Sequence, residues 1–362
     1  MFFYIIVFLI SIILSYFSVK IKDKRISMIF KILTILFMTC IAGFRYGIGT
    51  DYNKVYEPYF NELSNGLDVA RMRKFEIGYV LLNKFVIMLG GSFTWVCIIT
   101  AFITNYFIYK GLENFKEKCS LPFGILLYML LYYQKSFNLV RQMISVAIIF
   151  YAIKYLLSGD KKKFIIWVLI ASLFQRTVLV MIIIPFVQKL YENRKYRFIQ
   201  IISFVLLTVG ILNFSKIGVF VDSMNMEYYS YYFKENESTG ITINYFIRIL
   251  PVIALSVFLF KEILNNKKIL LMYNLFLFGA ILLLLGYVTS TYGERIAIYF
   301  LVYQIVLIPI FIRSILSQKD KFYKYPLILI VIGLNIFLWY NDFIFKGREE
   351  TVPYVSIFNR IQ

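Results

Sequence analysis

Apolar runs long enough, or nearly long enough, to cross about 30 Å of hydrocarbon cover most of this 362-residue chain. They read as roughly Phe2 to Val19, Ile26 to Gly43, Phe93 to Tyr109, Leu121 to Tyr133, Asn138 to Leu157, Phe164 to Phe174, Thr177 to Val187, Phe198 to Phe214, Ile243 to Phe260, Ile269 to Val288, Ile296 to Ile312 and Tyr325 to Phe343. The pairs meeting near Tyr133 and Phe174 are short, and one kinked or re-entrant element would replace either. The expected fold class is all-α: a polytopic integral membrane protein of about 12 transmembrane helices, with residues 1–362 as a single membrane domain. Composition agrees, at 60% hydrophobic and 16% charged with a mean hydropathy of +0.73, against roughly 25% charged in a soluble domain. Met1-Phe2-Phe3-Tyr4 lacks the basic start of a signal peptide, so the first run is read as a span.

Charge orients the spans. There are 39 Lys plus Arg against 20 Asp plus Glu, a net charge of +19, and no histidine. The missing imidazole excludes the Ser-His-Asp, Cys-His, HExxH and haem-His chemistries together. Cys40, Cys97 and Cys119 are too few and too scattered for a disulfide framework. The cations sit in short clusters between apolar runs rather than on a soluble face or tail, so nucleic acid is not an expected partner.

The segment Glu76 to Gly90 has marginal length and is interrupted by Glu76, Asn83 and Lys84. If it dips in and returns, KIKDKR, KGLENFKEK, GDKKK, KLYENRKYR, KEILNNKK and Arg313 to Lys324 all become cytoplasmic, as the positive-inside rule asks. A full crossing would place every later basic cluster outside. The segment is therefore expected to be re-entrant or interfacial, with both termini outside and large outer loops at about 44–92 and 214–242. On this topology the inner arginines are only Arg25, Arg194, Arg197 and Arg313. The outer ones are Arg45, Arg71, Arg73, Arg141, Arg176, Arg248, Arg295, Arg348 and Arg360. Lysine is adequate for retention near anionic headgroups, whereas the planar guanidinium fork matches phosphate and carboxylate bidentately, so the outer face is read as built to hold an anion.

Arg141, Arg176, Arg248 and Arg295 each lie near the expected start of a helix entering from outside, where the macrodipole is already positive and an extra cation costs a few tenths to about 1 kcal/mol. An anion would reverse that sign, with the helix N–H groups as further donors. The competing explanation is that each arginine snorkels to a lipid phosphate. The first outer loop opens on Arg45-Tyr46-Gly47-Ile48-Gly49-Thr50-Asp51-Tyr52, in which paired glycines allow close backbone approach and Asp51 can bind a hydroxyl or accept a proton. No GKS or GKT follows, so it is not a nucleotide phosphate loop, and a capped turn accounts for the string equally well. Glu294 stands beside Arg295 at a membrane boundary as a second carboxylate. Met226 to Phe233 is tyrosine-rich, fitting either sugar stacking or an interfacial aromatic belt.

In order along the chain, Arg45-x-x-x-Gly49-Thr50-Asp51-Tyr52, Glu76-x-Gly78-Tyr79, Asn138-x-x-Arg141-Gln142, Phe174-x-x-Thr177, Glu294-Arg295-Ile296 and Pro353-Tyr354 resemble the EpsG family of bacterial exopolysaccharide and capsule polymerases. Each motif is short; the ordered set spans nearly the whole chain. The resemblance implies a Wzy-like membrane glycosyltransferase that joins polyprenyl-pyrophosphate-linked oligosaccharide repeat units into exopolysaccharide, capsule or O-antigen on the outer face of the bacterial cytoplasmic membrane. It implies donor and acceptor lipids as partners, with membrane lipids, a flippase and a chain-length regulator as companions. The family often carries a histidine where Gln175 stands here, and glutamine cannot take a proton.

On this reading Arg45, Arg141, Arg176, Arg248 and Arg295 bind pyrophosphate. Asp51 or Glu294 activates the acceptor hydroxyl, and Tyr52, Gln142, Gln175 and Tyr292 contact sugar. Fixed guanidinium groups would stabilise the leaving pyrophosphate, so neither a metal nor another cofactor is expected. The alternatives are a transporter or flippase for the same lipid-linked sugar, and a glycan ligase on the same face. Alternating access favours polar groups at mid-membrane and two related halves, whereas these groups collect at one face and no internal repeat is visible.

Overall fold

The computed structural model describes residues 1–67, 75–186, 188, 243–289, 292–318 and 322–361. Among them the chain is helical, without a β-strand, and one antiparallel bridge pairs Arg45 with Ser356. Six helices are long and apolar enough to cross a membrane, and a bent pair makes a seventh. The protein is thus an all-α membrane protein. The expected run at Phe198 to Phe214 and the loop at 214–242 lie outside the described residues, as do Arg71 and Arg73.

Two compact units divide the chain. The first, Met1–Leu179 with Ile308–Gln362, begins with a helical hairpin. Helix α1 (Phe2–Lys20) ends where Ile21 turns extended, and α2 (Lys24–Gly43) starts on Asp23, whose carboxylate accepts from the Arg25 and Ile26 amides at 2.8 and 3.1 Å. Such a cap is worth about 1 kcal/mol and fixes where the hairpin turns. After the outer motif loop come α3 (Glu57–Ser64) and α4 (Ile77–Met88). At about 1.5 Å per residue the 12 residues of α4 reach roughly 18 Å, well short of a bilayer core. Val80 and Val86 of α4 share one core with Tyr52, Tyr56, Tyr59 and Phe60, and with Phe93, Val96 and Cys97 at the start of α5 (Phe93–Glu113).

Helix α6 (Leu121–Tyr128) continues through a π-helical turn (Met129–Tyr133) and a 3-10 turn (Gln134–Phe137) into α7 (Val140–Leu157). Helix α7 is the most enclosed of the long helices, with 72% of its residues buried, because apolar side chains ring it on every side. Helix α8 (Lys161–Ser172) is capped by Asp160, whose carboxylate accepts from the Lys163 amide at 3.1 Å. Its far end is tied to α7 by Ser145 Oγ donating to the Ala171 carbonyl at 2.7 Å. A 3-10 segment, Arg176–Ile183, follows.

The opposite ends of these helices carry different chemistry. At one end Lys31 and Lys110 pair with Glu113 at 2.7 and 2.9 Å, Ser18 meets Tyr109 at 2.7 Å, and Arg313 donates to the Glu117 carbonyl. At the other, Tyr4 donates to the Thr351 carbonyl and Tyr354 to the Ile41 carbonyl, both at 2.8 Å. This second end holds the sequence motifs.

The second unit, Val180–Leu307, contains α9 (Ile243–Asn265), α10 (Lys267–Thr289) and α11 (Tyr292–Leu301). Tyr245 donates to the Ala280 carbonyl at 3.0 Å, and Ser256 meets Tyr273 at 2.9 Å. Helix α12 (Gln304–Ser317) follows in sequence and returns the chain to the first unit, which also holds α13 (Lys324–Trp339).

Candidate functional site

Five of the six motifs meet within the first unit. Gly49 lies at φ +106, a backbone that L side chains rarely adopt, and a Cβ there would come within 2.3 Å of Asn138 Oδ1. Glycine is therefore what lets the outer loop close onto Asn138. Asn138 then joins three segments: its Oδ1 lies 3.5 Å from the Asp51 amide, its carbonyl accepts from the Tyr56 hydroxyl at 3.1 Å, and its Nδ2 donates to the Glu349 carbonyl at 2.9 Å and to the Glu349 carboxylate. The tail adds backbone bonds from the Gly49 amide to the Glu350 carbonyl at 3.1 Å and from the Tyr46 amide to the Val355 carbonyl at 3.0 Å. Below it, Gln134 donates to Thr351 Oγ1 at 2.8 Å and accepts from the Trp339 indole at 2.6 Å. Glu349 and Glu350 hold positive φ of 73° and 47°, an unfavourable backbone for non-glycine residues that the surrounding bonds maintain.

Arg45 is buried. It donates through Nη1 to the Ala42 carbonyl and through Nη2 to the Phe137 carbonyl at 3.2 Å, with its guanidinium 5.1 Å from the Phe137 ring and 5.9 Å from that of Tyr52. It ties the end of α2 to the turn before Asn138. Tyr52 is likewise enclosed, its ring 5.1 Å from Phe93 and 6.1 Å from Tyr46, and burial pushes its hydroxyl above the ordinary phenol range. The half-buried Asp51 accepts at its carbonyl from the Val55 and Tyr56 amides at 2.9 and 3.0 Å, opening the π-helical turn Tyr52–Tyr56.

The charged centre forms around Glu76, which sequence reading treats only as an interruption and a motif letter. Glu76 is 4% exposed. Its Oε2 pairs with Arg141 Nη1, and its Oε1 accepts from the Arg176 amide at 3.2 Å. The Arg141 guanidinium lies 4.3 Å from the Phe75 ring centroid, a cation–π contact. Gly78 explains why α4 comes this close to the end of α8. Its amide donates to the Leu173 carbonyl at 2.7 Å, and a Cβ would lie 2.7 Å from that same oxygen. Thus the Glu76-x-Gly78-Tyr79, Asn138-x-x-Arg141-Gln142 and Phe174-x-x-Thr177 motifs build one site. Gln142 is buried on α7 one residue after Arg141, Gln175 is half-buried, and the Arg176 side chain is exposed.

In the second unit Arg248 Nη1 pairs with Glu294 Oε1 at 2.5 Å. The sequence neighbour Arg295 is exposed. Glu294 thus pairs with a residue 46 positions earlier in the chain. Tyr292 opens α11, and its side chain lies outside the described residues. Among the described residues no three His, Cys, Asp or Glu side chains converge on a position that could hold a metal ion.

These features define a multi-pass α-helical membrane protein with a buried arginine–carboxylate centre at the motif-bearing end of its helices. The chain belongs to the EpsG family, whose sequence profile matches residues 28–356. Membership and the membrane-spanning helices together fit a polysaccharide polymerase in the membrane. No curated protein and no solved structure matches the chain.

Proposed function

We propose that the protein is a Wzy-like glycosyltransferase that polymerises polyprenyl-pyrophosphate-linked oligosaccharide repeat units into exopolysaccharide, capsule or O-antigen on the outer face of the cytoplasmic membrane. The observation that carries the proposal is the convergence of three family motifs on the Arg141–Glu76–Arg176 centre, at the end of the first unit opposite Lys31, Lys110 and Glu113. The topology that accompanies it has twelve spans, α4 not crossing, both termini outside and the lysine-rich end in the cytoplasm. The Lys/Arg distribution supports that arrangement.

In the reaction, the bond between the donor sugar and its pyrophosphate breaks and negative charge develops on the leaving group. Guanidinium groups in a partly dry site stabilise that charge without reorganising. Arg141, Arg176, Arg248 and Arg295 are assigned to pyrophosphate, whereas Arg45, with its donors on backbone carbonyls, fixes the loop that carries Asp51. Gln142, Gln175 and Tyr292 are assigned to sugar. A carboxylate accepts the proton of the acceptor hydroxyl; the candidates from sequence are Asp51 and Glu294, and the geometry adds Glu76.

The test is to incubate purified protein with synthetic lipid-linked repeat units, with and without chelator. A ladder of polymer in both arms is expected. Transmembrane movement of the lipid without a ladder would replace the proposal with the transporter reading, and transfer of a single finished glycan would replace it with the ligase reading.

A further inference from the structure

We infer that Glu76 occupies, in the resting protein, the position of a substrate phosphate, and that once displaced it takes the proton of the acceptor hydroxyl. This rests on the reading above that the site binds a polyprenyl pyrophosphate. The contacts of Glu76 are those of a bound anion: one oxygen on the Arg141 guanidinium and the other on a backbone N–H at the start of a helical segment. Arg141 is 15% and Glu76 6% exposed at the side chain, and a pair so buried does not open unless another anion replaces the carboxylate. A phosphate supplies the same sign of charge and more acceptor oxygens.

Glu76 is also placed to leave. It sits at the N-cap position of α4 with extended backbone, φ −66° and ψ 145°, and its side chain makes no capping hydrogen bond. Its side chain can rotate away from Arg141 while Gly78 keeps α4 fixed to the Leu173 carbonyl. The displaced carboxylate then lies beside the phosphate that displaced it, next to the bond that breaks.

The step balances. The acceptor O–H gives its proton to Glu76 while its oxygen bonds to the anomeric carbon of the donor. The bond from that carbon to the pyrophosphate oxygen breaks, and its electron pair stays on the pyrophosphate held by Arg141. Glu76 then passes the proton to water and returns to Arg141 as the polyprenyl pyrophosphate departs.

The first measurement uses the unaltered protein in lipid nanodiscs, with carboxyl labelling by a hydrophobic carbodiimide quantified by mass spectrometry. Polyprenyl pyrophosphate should raise labelling of Glu76 about fivefold or more, and polyprenyl alcohol should not. Unchanged labelling at saturating polyprenyl pyrophosphate overturns the displacement. The second compares variants on synthetic lipid-linked repeat units. Glu76→Gln should bind polyprenyl pyrophosphate at least as tightly as the parent while turnover falls about 10²- to 10⁴-fold. Glu76→Asp should recover part of the rate together with the acid limb of the pH–rate profile. Turnover of Glu76→Gln within about threefold of the parent overturns the proton-accepting role. Should that variant not fold, the Glu76→Asp profile decides, and a profile lacking any acid limb in both Asp variant and parent overturns it. A parent protein that exposes Glu76 on binding polyprenyl pyrophosphate yet makes no ladder would refute the polymerase reading and leave the displacement standing.

Discussion

The two arginine–carboxylate pairs at helix starts, Arg141 with Glu76 in the first unit and Arg248 with Glu294 in the second, differ in enclosure. Glu76 is 6% exposed at the side chain and also holds the Arg176 amide, while a phenyl ring flanks its arginine. Glu294 is 37% exposed opposite an arginine at 11%. Water and salt screen the second pair, which as a half-exposed contact is worth about 0–1 kcal/mol, whereas removing one partner of an enclosed pair costs about 3–5 kcal/mol. The same two residue types therefore make an enclosed, closely held ion pair in one place and an adjustable contact in the other.

The largest effect expected is at Arg141. Arg141→Lys keeps the charge but loses the planar fork and its stacking on Phe75, so polymer formation should fall more than about 10²-fold while the protein still inserts and lipid-linked single units accumulate. A normal polymer ladder would erase the distinction between the pairs. Gly78→Ala comes next, because the new methyl group would press on the Leu173 carbonyl and move Glu76 away from the Arg176 amide. A stability loss of about 1–3 kcal/mol is expected in thermal melts, together with a turnover loss of about tenfold or more on repeat units. Unchanged melting would mean that the approach of α4 to α8 is not needed. Glu294→Gln should cost less than about tenfold in turnover, and the deficit should shrink as salt is raised, since ions already screen the parent's pair.

Much of the membrane architecture is legible in the sequence because hydropathy and the spacing of basic clusters report on solvent, which each residue meets individually. The starts of α2 and α8 are equally local, each following an aspartate cap. The charged centre is not local. Glu76 and Arg141 are 65 positions apart, and nothing in either neighbourhood names the other as its partner. The family resemblance marked Glu76-x-Gly78-Tyr79 as a unit, and the closeness of the Leu173 carbonyl to Gly78 supplies a physical reason. Nor does sequence adjacency reveal that Glu294 pairs with Arg248, 46 positions earlier. At Arg45, likewise, only the fold shows that the arginine beside the glycine-rich loop donates to two backbone carbonyls.

The smallest effect expected is at Asp51, and it separates loop architecture from proton transfer. The Asp51 backbone helps to order the loop: the amide faces Asn138 Oδ1 and the carbonyl accepts from Val55 and Tyr56. Asparagine preserves all of these and, like aspartate, suits the turn that opens Tyr52–Tyr56. Asp51→Asn should therefore keep turnover within about threefold of the parent, measured on the same repeat units as Glu76→Gln. A loss above about 10²-fold in Asp51→Asn with normal melting would return the proton-accepting role to Asp51. The enclosure of Glu76 would then serve only to hold Arg141 in place, and the contrast between the two pairs would be one of stability alone.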